Sequence, residues 1–414
     1  MNRVSRSISM AVLSITLVTI SSAVHAGAPI GGGRFLIENV AALPETESAV
    51  AYNPQRGEYL VVWRAAEIWG RRVSRHGTLL GSAFRISPEG EGVRPDVSYN
   101  SATDEYLIVW HNLLGIRGQR ISALGARLGG LLNIAPGIPA SHYYSQPAVD
   151  YASTSDRYLV VYRYLRVSDN SSGIWAQVVT SSGTLDGSAH QVSQQSSSMM
   201  PEQPDVAYNR SRNEFLIVWQ QTMGSDIDVY GRRFKLAGGA APLGPELLVA
   251  IYLNADETAA AVAAIPTVPN EGGYLVAWEE DTGTDYNIIA RTVSWDGVLG
   301  AQRNLAVTPW GEYSPAVAGS ESNRQFLVTW TWIPVIAPPA LMQVRARALA
   351  VDGTVLHDTV LVGGEQVFES AVAAGPTGDF LITFDDNEAL DNPNRGIYGR
   401  LWGSRVYLPL VVRQ

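Results

Sequence analysis

The chain reads as an all-β protein, a seven-bladed β-propeller of four-stranded antiparallel blades, and three observations carry that reading. A valine recurs at Val50, Val97, Val149, Val206, Val262, Val317 and Val372. After each comes an aromatic-leucine segment ending in a second aromatic: EYLVVW (58–63), EYLIVW (105–110), RYLVVY (157–162), EFLIVW (214–219), GYLVAW (273–278), QFLVTW (325–330) and DFLITF (379–384). A third segment carries a small residue followed by Arg or Gln: IWGRRV (68–73), IRGQRI (116–121), IWAQVV (174–179), VYGRRF (229–234), IIARTV (288–293), VRARAL (344–349) and IYGRLW (397–402). Seven copies of one all-β unit predict seven blades.

Strand A holds the valine and strand B the aromatic segment. Nine residues separate Val50 from Tyr59, Val97 from Tyr106, Val149 from Tyr158, Val206 from Phe215 and Val317 from Phe326, so the same hairpin recurs. Its turns, YNPQRGEY (52–59), YNSATDEY (99–106) and YNRSRNEF (208–215), are built from turn-forming Asn, Pro, Gly and Asp. Strand C follows. Its small residue (Gly70, Gly118, Ala176, Gly231, Ala290, Ala346, Gly399) predicts a close visitor, expected to be a strand B aromatic. A turn such as RHGTLLG (75–81) leads to a short strand D, seen as FRIS (84–87), HQVS (190–193) and LLVA (247–250). The seventh unit lacks a clear strand D. GGGRFLIENV (31–40) is expected to fill that place and close the ring, with RVYLPLVVR (405–413) as the competing strand.

The "I-x-G-R-R … G-x-x-L-G" pattern, as in IWGRRV (68–73) followed by GTLLG (77–81), resembles the repeats of secreted bacterial β-propeller proteins over about residues 33–403. That resemblance implies the fold and an extracellular setting and names no reaction. The YLPLVV segment also looks like short C-terminal segments of secreted bacterial proteins, which implies a sorting role beside the edge-strand one.

Three segments follow: a signal peptide at 1–26, the propeller at 27–403 and a tail at 404–414. Arg3 and Arg6, an apolar run from about Met10 to Ile20, and Val24-His25-Ala26 give the first its pattern. The run is too short for a membrane span, so an exported or cell-surface protein is expected. There is no cysteine, which excludes disulfides, thiol nucleophiles and a lipoprotein thiol. The formal charge of −9 argues against nucleic acid as a partner, and Lys235 is the only lysine. A monomer is expected.

Function is expected on the face made by the B–C and D–A loops, because the B–C segments diverge while the A–B turns stay uniform. QQTMGSDID (220–228), EEDTGTDYN (279–287) and DDNEALDNPNRG (385–396) read as long acidic loops. Glu279, Glu280, Asp281 and Asp285 in blade five, with Asp385, Asp386, Glu388 and Asp391 in blade seven, supply carboxylates. Within this set Asp281, Asp285, Asp385 and Asp386 are the candidate ligands for Ca²⁺, a cofactor the fold does not require. Candidate ligand-binding residues are the aromatics Tyr143, Tyr144, Trp310, Tyr313 and Trp332, with Glu279 and Asp281; His142 stands beside the first two. Trp63, Trp110, Trp219, Trp278 and Trp330 keep the repeat period and read as core. Arg71, Arg232, Arg291, Arg347 and Arg400, with Gln119 and Gln177, read as structural donors.

No serine-hydrolase elbow, zinc helix or phosphate loop occurs, and only Ser294-Trp295-Asp296-Gly297 is faintly like a sialidase box. The expected function is therefore a non-catalytic binding propeller for an extracellular glycan or protein, with no catalytic residue assigned. The alternative is a polysaccharide hydrolase or lyase using one carboxylate from blade five and one from blade seven.

Overall fold

The computed structural model describes residues 28–29, 33–38, 44–88, 92–138, 141–236, 239–250, 252, 255–265, 273–334, 342–356, 360–363, 367–386 and 395–403. The expected signal peptide (1–26), the tail (404–414), and Glu388 and Asp391 lie outside these residues. Seven antiparallel sheets form a ring, and the described residues contain no helix. Blade one runs A to D as Thr46–Asn53, Glu58–Ala65, Glu67–Ser74 and Leu79–Arg85. Blades two to six repeat that order.

Each strand A touches the next, and the strand A of blade seven, Ser370–Ala374, touches that of blade one. The outer strand of blade seven is Phe35–Glu38, paired on Gly396–Gly403 with Phe35 opposite Gly399 and Leu36 opposite Tyr398. Ala28–Pro29 pairs with the end of the same strand. The N-terminal segment thus fills the place expected of it, and the ring closes with strands from both ends of the fold.

Strand B lies between two neighbouring blades, so both of its faces are covered and the usual alternation disappears. All six residues of Glu58–Trp63 are buried, as are those of Glu105–Trp110. Core clusters accordingly span adjacent blades: Leu216 and Val218 of blade four pack with Val262, Tyr274 and Trp278 of blade five. The five periodic tryptophans are at most 1% exposed, as their spacing required.

The small residue of strand C has a different visitor from the expected aromatic. A Cβ on Gly70 would lie 2.9 Å from Ile86, one on Gly118 2.8 Å from Ile134 and one on Gly231 3.1 Å from Val249. These are residues of the same blade's own outer edge, and on Gly399 the contact is Phe35 of the closing strand at 2.7 Å. The reason is local: strand D pairs beside strand C and its end supplies the visitor, whereas the strand B aromatics face the preceding blade, as Tyr106 and Trp110 do against Leu60 and Ile68.

The arginine slot is structural. Arg71 donates to the Ile37 carbonyl at 2.6 Å, Arg232 to Val192 at 2.7 Å, Arg291 to Val249 at 2.7 Å, and Arg400 to Val362. Each bond reaches the outer strand of the preceding blade. Gln119 and Gln177 instead cap carbonyls within their own blades, at Leu128 and Gly187.

Three aspartates tie strand A to strand A. Asp96 accepts from the Val149 N–H at 2.7 Å, Asp150 from Tyr208 at 2.7 Å and Asp205 from Val262 at 2.8 Å. Each also accepts from the N–H of the residue that follows it. Desolvation pushes their carboxyls up, to about 7 for Asp96 and about 6 for Asp150 and Asp205.

Candidate functional site

The face around the axis is built by one backbone device repeated from blade to blade. Three residues before the strand A valine, Glu47, Arg94, Gln146, Gln203, Ala259 and Ser314 adopt left-handed backbone with φ between 49° and 55°. A register shift in the A–B ladder accompanies each of them, a β-bulge that turns the start of the strand. Left-handed backbone costs an L-residue about 1–2 kcal/mol, and such strain persists only where surrounding structure imposes it.

Here the surroundings are side chains. The Arg94 N–H donates to Glu47 Oε2 (2.7 Å), Gln203 N–H to Gln146 Oε1 (2.9 Å), Ala259 N–H to Gln220 Oε1 (2.9 Å) and Ser314 N–H to Glu279 Oε2 (3.1 Å). In blade seven the Glu369 N–H donates to Asp385 Oδ1 at 3.2 Å. Gln220, Glu279 and Asp385 all stand one residue after the strand B aromatic, the slot held in blades one to three by Arg64, His111 and Arg163.

These two rings frame a cavity of about 620 Å³ lined by starts of strand A from blades two to seven and ends of strand B. Its polar lining is Arg94, Gln146, Gln203, Gln220, Thr258, Glu279, Tyr313, Ser314, Glu369 and Ser370. A second cavity of about 420 Å³ adjoins it on blades one to three, lined by Arg64, Val93, His111, Leu113, Tyr143 and Tyr144 among others. The mouth is therefore polarised. Arg64, Arg94, His111 and Arg163 stand on blades one to three, where Glu47 meets Arg64 and the Arg94 N–H; Glu279 and Glu369 line the cavity from blades five and seven, and Glu257 and Glu312 are buried in blades five and six. Burial raises the Glu279 carboxyl, while the Ser314 N–H and Thr258 hydroxyl oppose that rise. Burial, then the neighbouring Asp228 and Glu280, pushes Glu257 up to about 8, and burial pushes Glu312 up to about 7.

The residues expected from sequence fall in several places. Glu279 and Tyr313 line the larger cavity, with the Tyr313 ring tilted against Tyr286 at 4.6 Å. Tyr143, 40% exposed, and Tyr144 line the smaller one, and Tyr144 packs edge-on against Tyr162. Trp310 and Trp332 form their own cluster on blade six, T-shaped at 6.3 Å, with Arg345 over the Trp332 ring at 3.7 Å. Asp281 caps the Gly283 N–H at 2.8 Å, and Asp285 accepts from Thr284 within the same turn. Asp385 is buried on Glu369 and Arg395, and Asp386 is buried against Arg34. Among the described residues no group of three or more His, Cys, Asp or Glu is arranged to hold a metal ion.

Two expectations change. The acidic B–C segments of blades four and five are extensions of the hairpin: pairing continues from Trp219–Tyr230 out to Met223–Asp226 and from Trp278–Ile289 out to Asp281–Tyr286, leaving short turns. The alternating polar residues keep the pleat, so half of them point sideways at neighbouring blades. The blade seven carboxylate that lines the cavity is Glu369, at the start of strand A, while Asp385 holds it from behind.

No protein-family model and no curated protein matches this sequence. Among solved structures, a fungal alcohol oxidase of the AA5 family in complex with copper is similar over 90% of this chain and 76% of its own, with 11% identity and a TM-score of 0.52. The α-L-arabinofuranosidase Arb93A of Fusarium graminearum matches at 15% identity over 77% and 98%, with a TM-score of 0.48. An endo-arabinase from Bacteroides thetaiotaomicron matches at 12% over 61% and 96%, with a TM-score of 0.38. At such identities the likeness is one of fold. A shared ring says little about the site it carries.

Proposed function

We propose that this protein is an exported glycan-binding propeller whose site is the cavity at the mouth of the ring. The observation that carries this reading is the lining of that cavity. It combines neutral amides, hydroxyls, one guanidinium and two carboxylates with a tyrosine ring, all mounted on clamped backbone. With the Gln146 oxygen holding a bulge, its N–H₂ and the Gln203 amide offer polar atoms that suit sugar hydroxyls, and an aromatic face suits the C–H side of a sugar ring. A cavity of about 620 Å³ is the size of a small-ligand site, and its concavity favours a sugar over a flat protein surface.

Residues 27–414 applied to a broad glycan array, with calcium and with chelator, test this. Defined oligosaccharides should bind, and Gln146→Ala with Gln203→Ala should weaken them about tenfold or more, because buried sugar hydroxyls lose their partners. An array blank in both conditions overturns the reading.

One observation favours the hydrolase alternative: Glu279 and Glu369 line the same cavity, and burial raises the Glu279 carboxyl as a general acid requires. A hydrolase needs the pair roughly 5–9.5 Å apart. Release of reducing ends from an array-positive glycan, abolished by Glu279→Gln while binding persists, would establish it. Intact glycan after prolonged incubation would exclude it.

A further inference from the structure

We infer that the ligand is an acidic glycan, and that the mouth seats a sugar carboxylate on its blade one to three side, between Arg94, Arg64 and His111. This deepens the glycan-binding reading above and rests on it.

The protein carries −9 overall, and most of its arginines in defined positions are committed to partners. Arg72 and Arg120 bind Glu58 and Glu105 through two nitrogens each, and Arg163 pairs with Glu202 at 3.1 Å. Arg94 is different. It is exposed, lines the larger cavity and sits on the left-handed bulge. Only its backbone N–H is hydrogen-bonded, to Glu47; the guanidinium makes no hydrogen bond or close ion pair among the described residues and acts on Glu369 only through its charge. Arg64, on the wall of the smaller cavity, has a single contact with Glu47 at 3.5 Å.

His111 completes the cluster. Its Nδ1 is buried with no hydrogen-bond partner, and the ring lines the same cavity as Arg64. Burial first, then the charges of Arg94 and Arg64, lowers its pKa to about 4, so the ring stands neutral and leaves the positive charge here to the two arginines. Two guanidiniums on the walls of two neighbouring cavities, beside an uncharged imidazole ring, are a receptor for a planar anion. Guanidinium matches carboxylate geometry through paired N–H donors, which favours a uronate-type carboxylate over a tetrahedral sulfate.

The opposite wall supports the same orientation. Glu279 accepts hydrogen bonds and repels an anion, so the sugar's hydroxyl edge faces blade five and its acidic edge faces Arg94 and Arg64. Beyond His111, exposed Tyr143 offers a face to the next sugar unit.

The test uses uronate-containing oligosaccharides arrayed beside their carboxyl-reduced counterparts and beside sulfated neutral glycans, probed with residues 27–414. Uronate members should bind at least tenfold better than their reduced partners. Arg94→Ala, which places at this bulge the residue that blade five carries at Ala259, should remove most of that preference, and Arg64→Ala should reduce it. Thermal melts of both variants establish that they remain folded, and raising salt on the unaltered protein should selectively weaken the uronate members. Equal binding within pairs, a preference for sulfated glycans, or a uronate preference untouched by both variants overturns the acidic-ligand inference while leaving glycan binding intact. A blank across all pairs overturns the glycan reading itself.

Discussion

At the scale of single residues, the aspartates that bridge neighbouring strands show how side-chain chemistry fixes a backbone arrangement. Asp150 accepts from Tyr151 and Tyr208 N–H groups and from the Ser98 hydroxyl at 3.1 Å, so both oxygens are used as acceptors. Asparagine can offer only one oxygen and turns an N–H₂ toward a backbone donor. Asp150→Asn should therefore cost about 1–3 kcal/mol in denaturant unfolding, with little change in the slope of the transition. An unchanged midpoint would show that the bridge contributes nothing net. The site residues were harder to find in the sequence than these bridges are to explain. Glu279, Tyr313, Tyr143 and Tyr144 were legible because acidic and aromatic residues stand out in diverging segments. Arg94, Gln146, Gln203 and Glu369 were not, because each reads as an ordinary polar residue at a strand start. The available signal was the repeat frame itself: three positions before every strand A valine the residues are Glu, Arg, Gln, Gln, Ala, Ser and Glu, varying while the valine stays constant.

At the scale of elements, closure of the ring depends on Phe35–Glu38. Ile37 is fully buried, Phe35 packs over Gly399, and Arg71 of blade one holds the Ile37 carbonyl and pairs with Glu38 at 2.9 Å. Removing residues up to 40 should leave strand Gly396–Gly403 as an open edge and strip one wall from blade one. The expected outcome is a lower melting temperature with concentration-dependent association in light scattering, since an open edge recruits other chains. A truncated protein that stays monodisperse and melts unchanged would show that another strand closes the ring. Strand content and order were readable here because the repeat supplies seven independent copies of each element. The extended B–C hairpins were not, because Asp, Thr and Gly look the same in a loop as at the tip of a two-stranded ribbon.

At the scale of the whole molecule, buried carboxyls set the response to pH. Asp96, Asp150, Asp205, Glu312 and Glu257 all have folded-state values raised mainly by burial, to between about 6 and about 8. A raised acid binds its proton more tightly folded than unfolded, so its contribution is complete below about pH 4 and is lost as pH rises through its folded value. Burial alone would raise Asp104 and Asp156, but hydrogen bonds to each carboxylate outweigh it and lower both, so their contribution is lost as pH falls below about 4. Melting temperature should therefore peak at mildly acidic pH and decline between about pH 5 and about pH 8. A melting temperature that rises over that interval would contradict the burial assigned to these groups.

The sequence by itself determined the architecture: blade number, strand order, the buried tryptophans and the place where the N-terminal strand closes the ring. It could do so because hydrophobic period and turn spacing are local properties, and seven repetitions average away the variation of any one copy. Only the tertiary structure decided which polar residues share a cavity. Residues such as Arg94, Gln203, Glu279 and Glu369 belong to different blades, and nothing local brings them together. Their meeting depends on the ring closing and on bulges that aim each strand start at the axis, and those bulges are held by side chains that include partners from neighbouring blades.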